Sequence, residues 1–180
     1  GVEPGGDGID VQGSAVVSQV LPALRAMARE AGLAGTDMTV HVESDLPPGA
    51  GLGGSAALCV AFARATLETS GRKAGMGAVL ELAAVGEAVF HGQPSGLDAW
   101  LAASWAPALY VRGEDPRTVA VGSDMHMAVL VDPARTPTSV MVEGVRLRLE
   151  ARPEETRLLF ERIAKLVHQR VRALAEGDGV

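Results

Sequence analysis

Four glycines, Gly49, Gly51, Gly53 and Gly54, stand directly before Ser55 in the stretch Asp45-Leu-Pro-Pro-Gly-Ala-Gly-Leu-Gly-Gly-Ser-Ala-Ala57. Glycine admits backbone conformations closed to other residues and lets a bulky ligand come close to the main chain. A helix that starts at such a loop presents N–H groups with no partner inside the helix, at the positive end of its dipole. The chemistry on offer is anion binding, with phosphate the natural candidate. The plain alternative is a flexible turn ahead of a core helix. Further along, Glu87 and His91 are four residues apart, so a helix would stack them on one face. There the plain account is a surface pair. Asp98 follows the break Gln93-Pro-Ser-Gly96 and falls in the first turn of a short helix.

Two phosphate-binding patterns can be tested on the loop. A Walker A loop ends in Gly-Lys-Ser/Thr, and here the first basic residue after the glycines is Arg64, well inside the helix. The dinucleotide pattern G-x-G-x-x-G is matched by Gly49, Gly51 and Gly54. Its helix, however, should lead into a second parallel strand. Instead Gly71 is followed by another helical stretch from Lys73 to Phe90. A nicotinamide-dependent oxidoreductase is therefore disfavoured.

The elements that must position these residues follow from periodicity. Met38 to Ser44 alternates apolar and polar residues and reads as a strand. Ser55 to Leu67 is apolar nearly all round, the pattern of a helix buried on most sides. Ser14 to Ala31 carries a helical stripe interrupted by Pro22 and closed by Gly32, while Gly1 to Gly13 reads as a loop. Ala74 to His91 is the next helix, with Glu81 as a solvated charge, and Leu97 to Ser104 forms a short one. Ala108 to Arg112 and Met127 to Val131 read as strands, with turns between them and a loop from Asp132 to Pro137. Thr138 or Ser139 caps a helix through about Glu150, and Pro153 opens a last helix. The stripe of that last helix, Leu159, Ile163, Leu166, Val167, Val171 and Leu174, reads as core packing. Strands mixed with helices in no regular βαβ alternation indicate an α+β fold.

Pro47-Pro-Gly-Ala-Gly-Leu-Gly-Gly-Ser-Ala-Ala57 resembles the ATP-phosphate loop of the GHMP small-molecule kinases, P-x-G-A-G-L-G-S-S-A. Glu87-Ala-Val-Phe-His-Gly-Gln-Pro-Ser-Gly-Leu-Asp98 resembles the H-G-x-P-S-G-x-D signature of the mevalonate kinases within that family. The resemblance runs from about Met38 to the C-terminus. It implies a GHMP-kinase-like fold, a mixed sheet packed with helices, in which residues 1–125 belong to the ATP- and Mg²⁺-binding N-terminal domain and 126–180 begin the C-terminal domain. It also implies ATP-dependent phosphorylation of mevalonate, giving phosphomevalonate for isoprenoid-precursor synthesis. Another small alcohol, or a non-catalytic ligand-sensing role on the same fold, is the alternative.

Phosphoryl transfer asks a protein mainly for positioning and electrostatics. On the resemblance, Pro48, Gly49, Ala50, Gly51, Leu52, Gly53, Gly54, Ser55 and Ala56 cradle the ATP phosphates. Ser55 and Glu87 match the Mg²⁺ ligands, a hydroxyl and a carboxylate, which suits an ion that takes few protein ligands and keeps its waters. Asp98 matches the aspartate that takes or orients the proton of the acceptor hydroxyl. His91, Ser95 and Thr138 fall on the acceptor side, His91 in a packing or hydrogen-bonding role. His41, His126 and His168 are isolated and suggest no metal site, and Arg135 reads as a solvated loop charge.

The chain departs from the family pattern in places. Gly54 stands where the loop has its first serine, and Ala106-Pro107 where a glycine pair is usual. The family's lysine-bearing N-terminal strand and its C-terminal glycine-rich motif are not found. The chain is thus expected to be the middle of a longer kinase. A formal net charge of -6 argues against nucleic acid or an anionic membrane as partner. The single cysteine, Cys59, excludes an internal disulfide framework, suits a reducing cytoplasm, and reads as a small buried hydrophobe. No signal peptide and no membrane-spanning run is present in the sequence. A homodimer is kept as an open assembly.

Overall fold

The computed structural model describes residues 9–13, 17–47, 50–124, 126, 128–130 and 138–177, of which 10–13, 17–19 and 138–139 by backbone alone. The chain divides into two compact units. The first runs to Ala106 and includes Tyr110–Pro116; the second holds Pro107–Leu109 and the chain from Arg117 onward.

In the first unit, β1 (Ile9–Gly13) pairs in parallel with β2 (Met38–Val42), from Ile9 opposite Met38 to Gly13 opposite Val42. A parallel pair needs a long crossover, and α1 (Val17–Glu30) supplies it. The loop expected over the first 13 residues is therefore corrected for 9–13, which form a strand. A short segment flanked by glycines gains strand character from a partner about thirty residues away, which local composition does not register. Pro22 lies inside α1 without ending it.

Three further helices follow: α2 (Gly54–Thr69), α3 (Met76–His91) and α4 (Leu97–Ser104). They and α1 enclose one core. Leu24 and Met27 come from α1, Cys59, Ala63 and Leu67 from α2, Val79, Leu82 and Ala83 from α3, and Ala99 and Ala103 from α4. The α2 helix is buried on most sides, as its apolar circumference requires. Glu81 is exposed, as its place on the outer face of α3 dictates. At Gly86 the helices come closest. A Cβ there would lie 2.5 Å from Met27 Sδ and 2.6 Å from Cys59 Sγ. Glycine is what allows α3 to sit this deep between α1 and α2.

The second unit contains an antiparallel pair, β3 (Ala108–Leu109) with β4 (Arg117–Thr118), and two helices, α5 (Thr138–Ala151) and α6 (Pro153–Glu176). The buried Thr156 closes the elbow between the helices, donating from Oγ1 to Arg148 O at 3.3 Å. Arg148 also pairs with Glu155 at 2.7 Å. The end of α6 meets the segment after β4, where Gly122 N donates to Leu174 O at 2.8 Å. The strand expected over Met127 to Val131 is corrected: residues 128–130 are not a strand, and the partner of β3 lies earlier, in the stretch read as turns. Short antiparallel neighbours pair across the nearest turn, and Gly113 with φ 91 makes that turn available. The stripe on α6 is also corrected. Leu159, Ile163, Leu166 and Val167 are exposed, and Thr156 is the buried residue of the helix. The α+β class expected from the sequence is the one found. No described helix is long and apolar enough to cross a membrane.

Candidate active site

The glycine loop delivers α2 with an uncapped first turn. Gly53 is the N-cap, in the left-handed region at φ 71, and makes no side-chain cap hydrogen bond. Ala57 N donates back to Gly53 O at 2.9 Å, so the ladder starts there and the N–H groups of Gly54, Ser55 and Ala56 precede it. Gly51 is also left-handed, at φ 74. A Cβ at Gly51, Gly53 or Gly54 would touch nothing within 4 Å. The glycines at 51 and 53 thus serve backbone conformation, and the space above them is open. Gly51, Leu52 and Gly54 are exposed, while Ala50 and Gly53 are half-buried and Ala56 is buried. Pro48 and Gly49 lie outside the described residues.

Ser55 Oγ lies 3.1 Å from His91 Nε2. This contact joins the first turn of α2 to the last turn of α3. One helical turn along each helix from that contact come Cys59 and Glu87. Cys59 packs against α3 beside Glu87: a Cβ on the adjacent Gly86 would lie 2.6 Å from Cys59 Sγ, and the thiol is pushed up to about 12 by its burial first and the Glu87 charge second. The pairs Ser55–His91 and Cys59–Glu87 therefore form two rungs of an antiparallel seam. Four residues at 1.5 Å rise separate the rungs by roughly 6 Å. The spacing of Glu87 and His91 proves to be the spacing of that seam rather than of a surface pair.

Glu87 is 3% exposed, and its Oε1 has no hydrogen-bond partner among the described residues. A buried carboxylate oxygen left alone is costly unless something positive or a proton donor reaches it. No group of three or more His, Cys, Asp or Glu among the described residues could hold a metal. A Zn²⁺-type cage is not what these side chains make. One carboxylate and one hydroxyl on a common seam is a donor set suited to Mg²⁺, which retains most of its water.

Asp98 sits exposed in the first turn of α4, at the end of the helix dipole that favours a carboxylate. Gly96 caps that helix at φ 79, and Ser95 Oγ accepts from Leu97 N at 3.3 Å. Ser95, expected on the acceptor side, thus shapes the start of α4. Two tethers orient the helix. Residues 92–96 connect its start to His91, and Arg64 Nη2 donates to Ala103 O near its end at 2.8 Å. Arg64 is nine residues into α2 from Ser55, roughly 13 Å along the axis. The short helix is thus tied to α3 before its first turn, which carries Asp98, and to α2 near its last. The structure brings Ser55 and the first turn of α2 to His91, with Glu87 one turn back along α3, while Asp98 follows His91 by seven residues in the first turn of α4. Thr138 opens α5 in the second unit, and its side chain lies outside the described residues, as does Arg135. His41 and His126 are exposed, and His168 bonds Ala164 O within its own helix. Arg64 had no signal in the sequence beyond being a cation in an apolar helix, and Cys59 none as a neighbour of Glu87.

The family model of the GHMP kinases N terminal domain matches residues 17–105. A mevalonate kinase of Aeropyrum pernix is 29% identical over 174 residues, covering 96% of this chain and 53% of that protein. One from Arabidopsis thaliana is 34% identical over 139 residues, covering 69% of this chain and 36% of that protein. The crystal structure of L. major mevalonate kinase in complex with R-mevalonate shares the fold. Its TM-score is 0.79 at 24% identity, over 94% of this chain and 56% of that one. The chain spans about half the length of the Aeropyrum relative and about a third of the Arabidopsis one.

Proposed function

The chain belongs to the GHMP kinases, and from that premise we propose that the intact protein transfers the γ-phosphoryl group of ATP to the hydroxyl of mevalonate. The observation that carries this reading is the seam itself: Ser55 of the phosphate loop meets His91 of the signature helix at 3.1 Å, with the unpartnered Glu87 Oε1 one turn deeper. The first-turn N–H groups of α2 bind the triphosphate oxygens, which glycine lets approach without side-chain interference. Ser55 and Glu87 would hold Mg²⁺, which when bound neutralises phosphate charge. His91 holds the Ser55 hydroxyl in place. Asp98 orients the acceptor hydroxyl and accepts its proton, working as much through charge and orientation as through basicity. Residues 1–125 are read as the nucleotide-binding part and 126–180 as the start of the acceptor-side part, with Thr138 near the acceptor. The protein would act in the cytoplasm, where Cys59 stays reduced.

The test is ADP release by the intact protein with Mg-ATP and mevalonate against a panel of small alcohols. Turnover with mevalonate supports the reading, and turnover with a different alcohol replaces the acceptor. ATP binding without ADP formation would favour a ligand-sensing protein, a reading supported by Gly54 in place of a loop serine. Asp98→Asn should lower kcat by about 10²–10⁴-fold while nucleotide binding persists.

A further inference from the structure

We propose that Arg64 is a positioning residue for Asp98, holding α4 in register on the phosphate-loop helix through its hydrogen bond to Ala103 O. The inference rests on the role given to Asp98 above. An eight-residue helix is too short to be stable by itself, so its placement comes from what it packs against. Its buried residues are Ala99 and Ala103, one turn apart on one face. Alanine methyls let helices approach closely, yet they offer few ridges to stop one helix sliding or rolling on the other. A directional contact is needed to fix the register. Ala103 O is among the last carbonyls of α4, which have no partner inside the helix. Two residues back, Leu101 O already accepts from Trp105 N at 3.1 Å, and among the described residues no Schellman-type bond reaches Ala103 O. The half-buried Arg64 fills that vacancy at 2.8 Å. A cation at the C-terminal end of a helix is also favoured by its dipole. At the opposite end, Tyr110 Oη donates to Ser95 O at 3.2 Å, fixing the turn from which α4 departs. Asp98 lies between the two tethers, and neither donor belongs to the phosphate loop or the acceptor set.

The experiment compares Arg64→Met, Arg64→Lys and Tyr110→Phe in the intact protein. For Arg64→Met a displacement of Asp98 of the order of 1 Å should reduce kcat by about 10- to 100-fold. The KM for Mg-ATP should stay within about twofold, because α2 keeps its own first turn. Arg64→Lys, which retains a donor at the end of a long stem, should recover most of kcat, and Tyr110→Phe should give a smaller loss of the same kind. Amide hydrogen exchange of residues 97–104 should accelerate in Arg64→Met and return towards wild type in Arg64→Lys. An unchanged kcat in Arg64→Met overturns the proposal. So does a parallel loss of kcat and ATP affinity that lysine does not repair. If Arg64→Met does not fold, Arg64→Lys and Tyr110→Phe decide by the same split. Absence of turnover in the wild-type protein counts against the kinase reading alone, and the exchange measurement still judges the tether.

Discussion

Gly86 offers the sharpest test of the packing that sets Glu87 beside the phosphate loop. Adding one methyl there would place a carbon 2.5 Å from Met27 Sδ, 3.2 Å from Met27 Cγ and 2.6 Å from Cys59 Sγ. Met27 and Cys59 are both fully buried, so neither sulfur can swing into solvent to make room. Overpacking of a closed core costs about 1–3 kcal/mol. The same substitution gains up to about 1 kcal/mol of helix propensity, because alanine replaces glycine within α3. The two effects can be separated within one helix. A Cβ at Gly77 meets nothing within 4 Å, so Gly77→Ala carries the propensity gain without the clash. Gly77→Ala should therefore raise the urea midpoint followed by circular dichroism, and Gly86→Ala should lower it, the two differing by about 1–3 kcal/mol. Removing the obstructing sulfur should repair part of the damage. Gly86→Ala combined with Cys59→Ala should show a favourable coupling of about 0.5–3 kcal/mol in a double-mutant cycle. If Gly86→Ala is as stabilising as Gly77→Ala and shows no coupling to position 59, the close approach of α3 to α1 and α2 is wrong. The seam that carries Glu87 would fall with it.

Other outcomes follow from the same geometry. Gly51→Ala and Gly53→Ala put a Cβ at φ 74 and φ 71; each should cost about 1–2 kcal/mol in loop strain and weaken ATP binding, measured by calorimetric titration. Glu87→Gln should raise the Mg²⁺ concentration needed for half-maximal turnover, and an unaltered metal dependence would remove Glu87 as a ligand. The buried Cys59 thiol, held up at about 12, should resist iodoacetamide in the folded protein at pH 8 and react on unfolding. Because its folded value lies above the ordinary 9.0, the folded state keeps the proton longer, and stability should fall as pH rises from about 9 towards 12, by about 1.4 kcal/mol per unit at most. Trp105 is 85% exposed and holds φ 55, so Trp105→Asn should stabilise by up to about 1 kcal/mol with no packing to lose.

What the sequence disclosed about this fold divides by range along the chain. The glycine loop, the buried helix after it, the break at Gln93 to Gly96 and the short helix carrying Asp98 are local events. Residue types within a few positions determine them, and all were legible. The pairings were not. Ser55 and His91 are 36 positions apart, and their contact depends on how α2 and α3 pack. That packing turns on Gly86, which in the sequence is one small residue in an apolar run. The strand at Ile9–Gly13 was missed for the same reason, since its partner is β2 across a helix. A helical stripe carries a different kind of incompleteness. On α6, Leu159, Ile163, Leu166 and Val167 recur at helical spacing, and amphipathic periodicity alone predicts that such a face is buried. In the second unit they stand exposed. Periodicity specifies that a face should be covered, but the covering surface is a property of another segment or molecule. The stripe on α2 could be read correctly because its partners, α1, α3 and α4, lie within this chain.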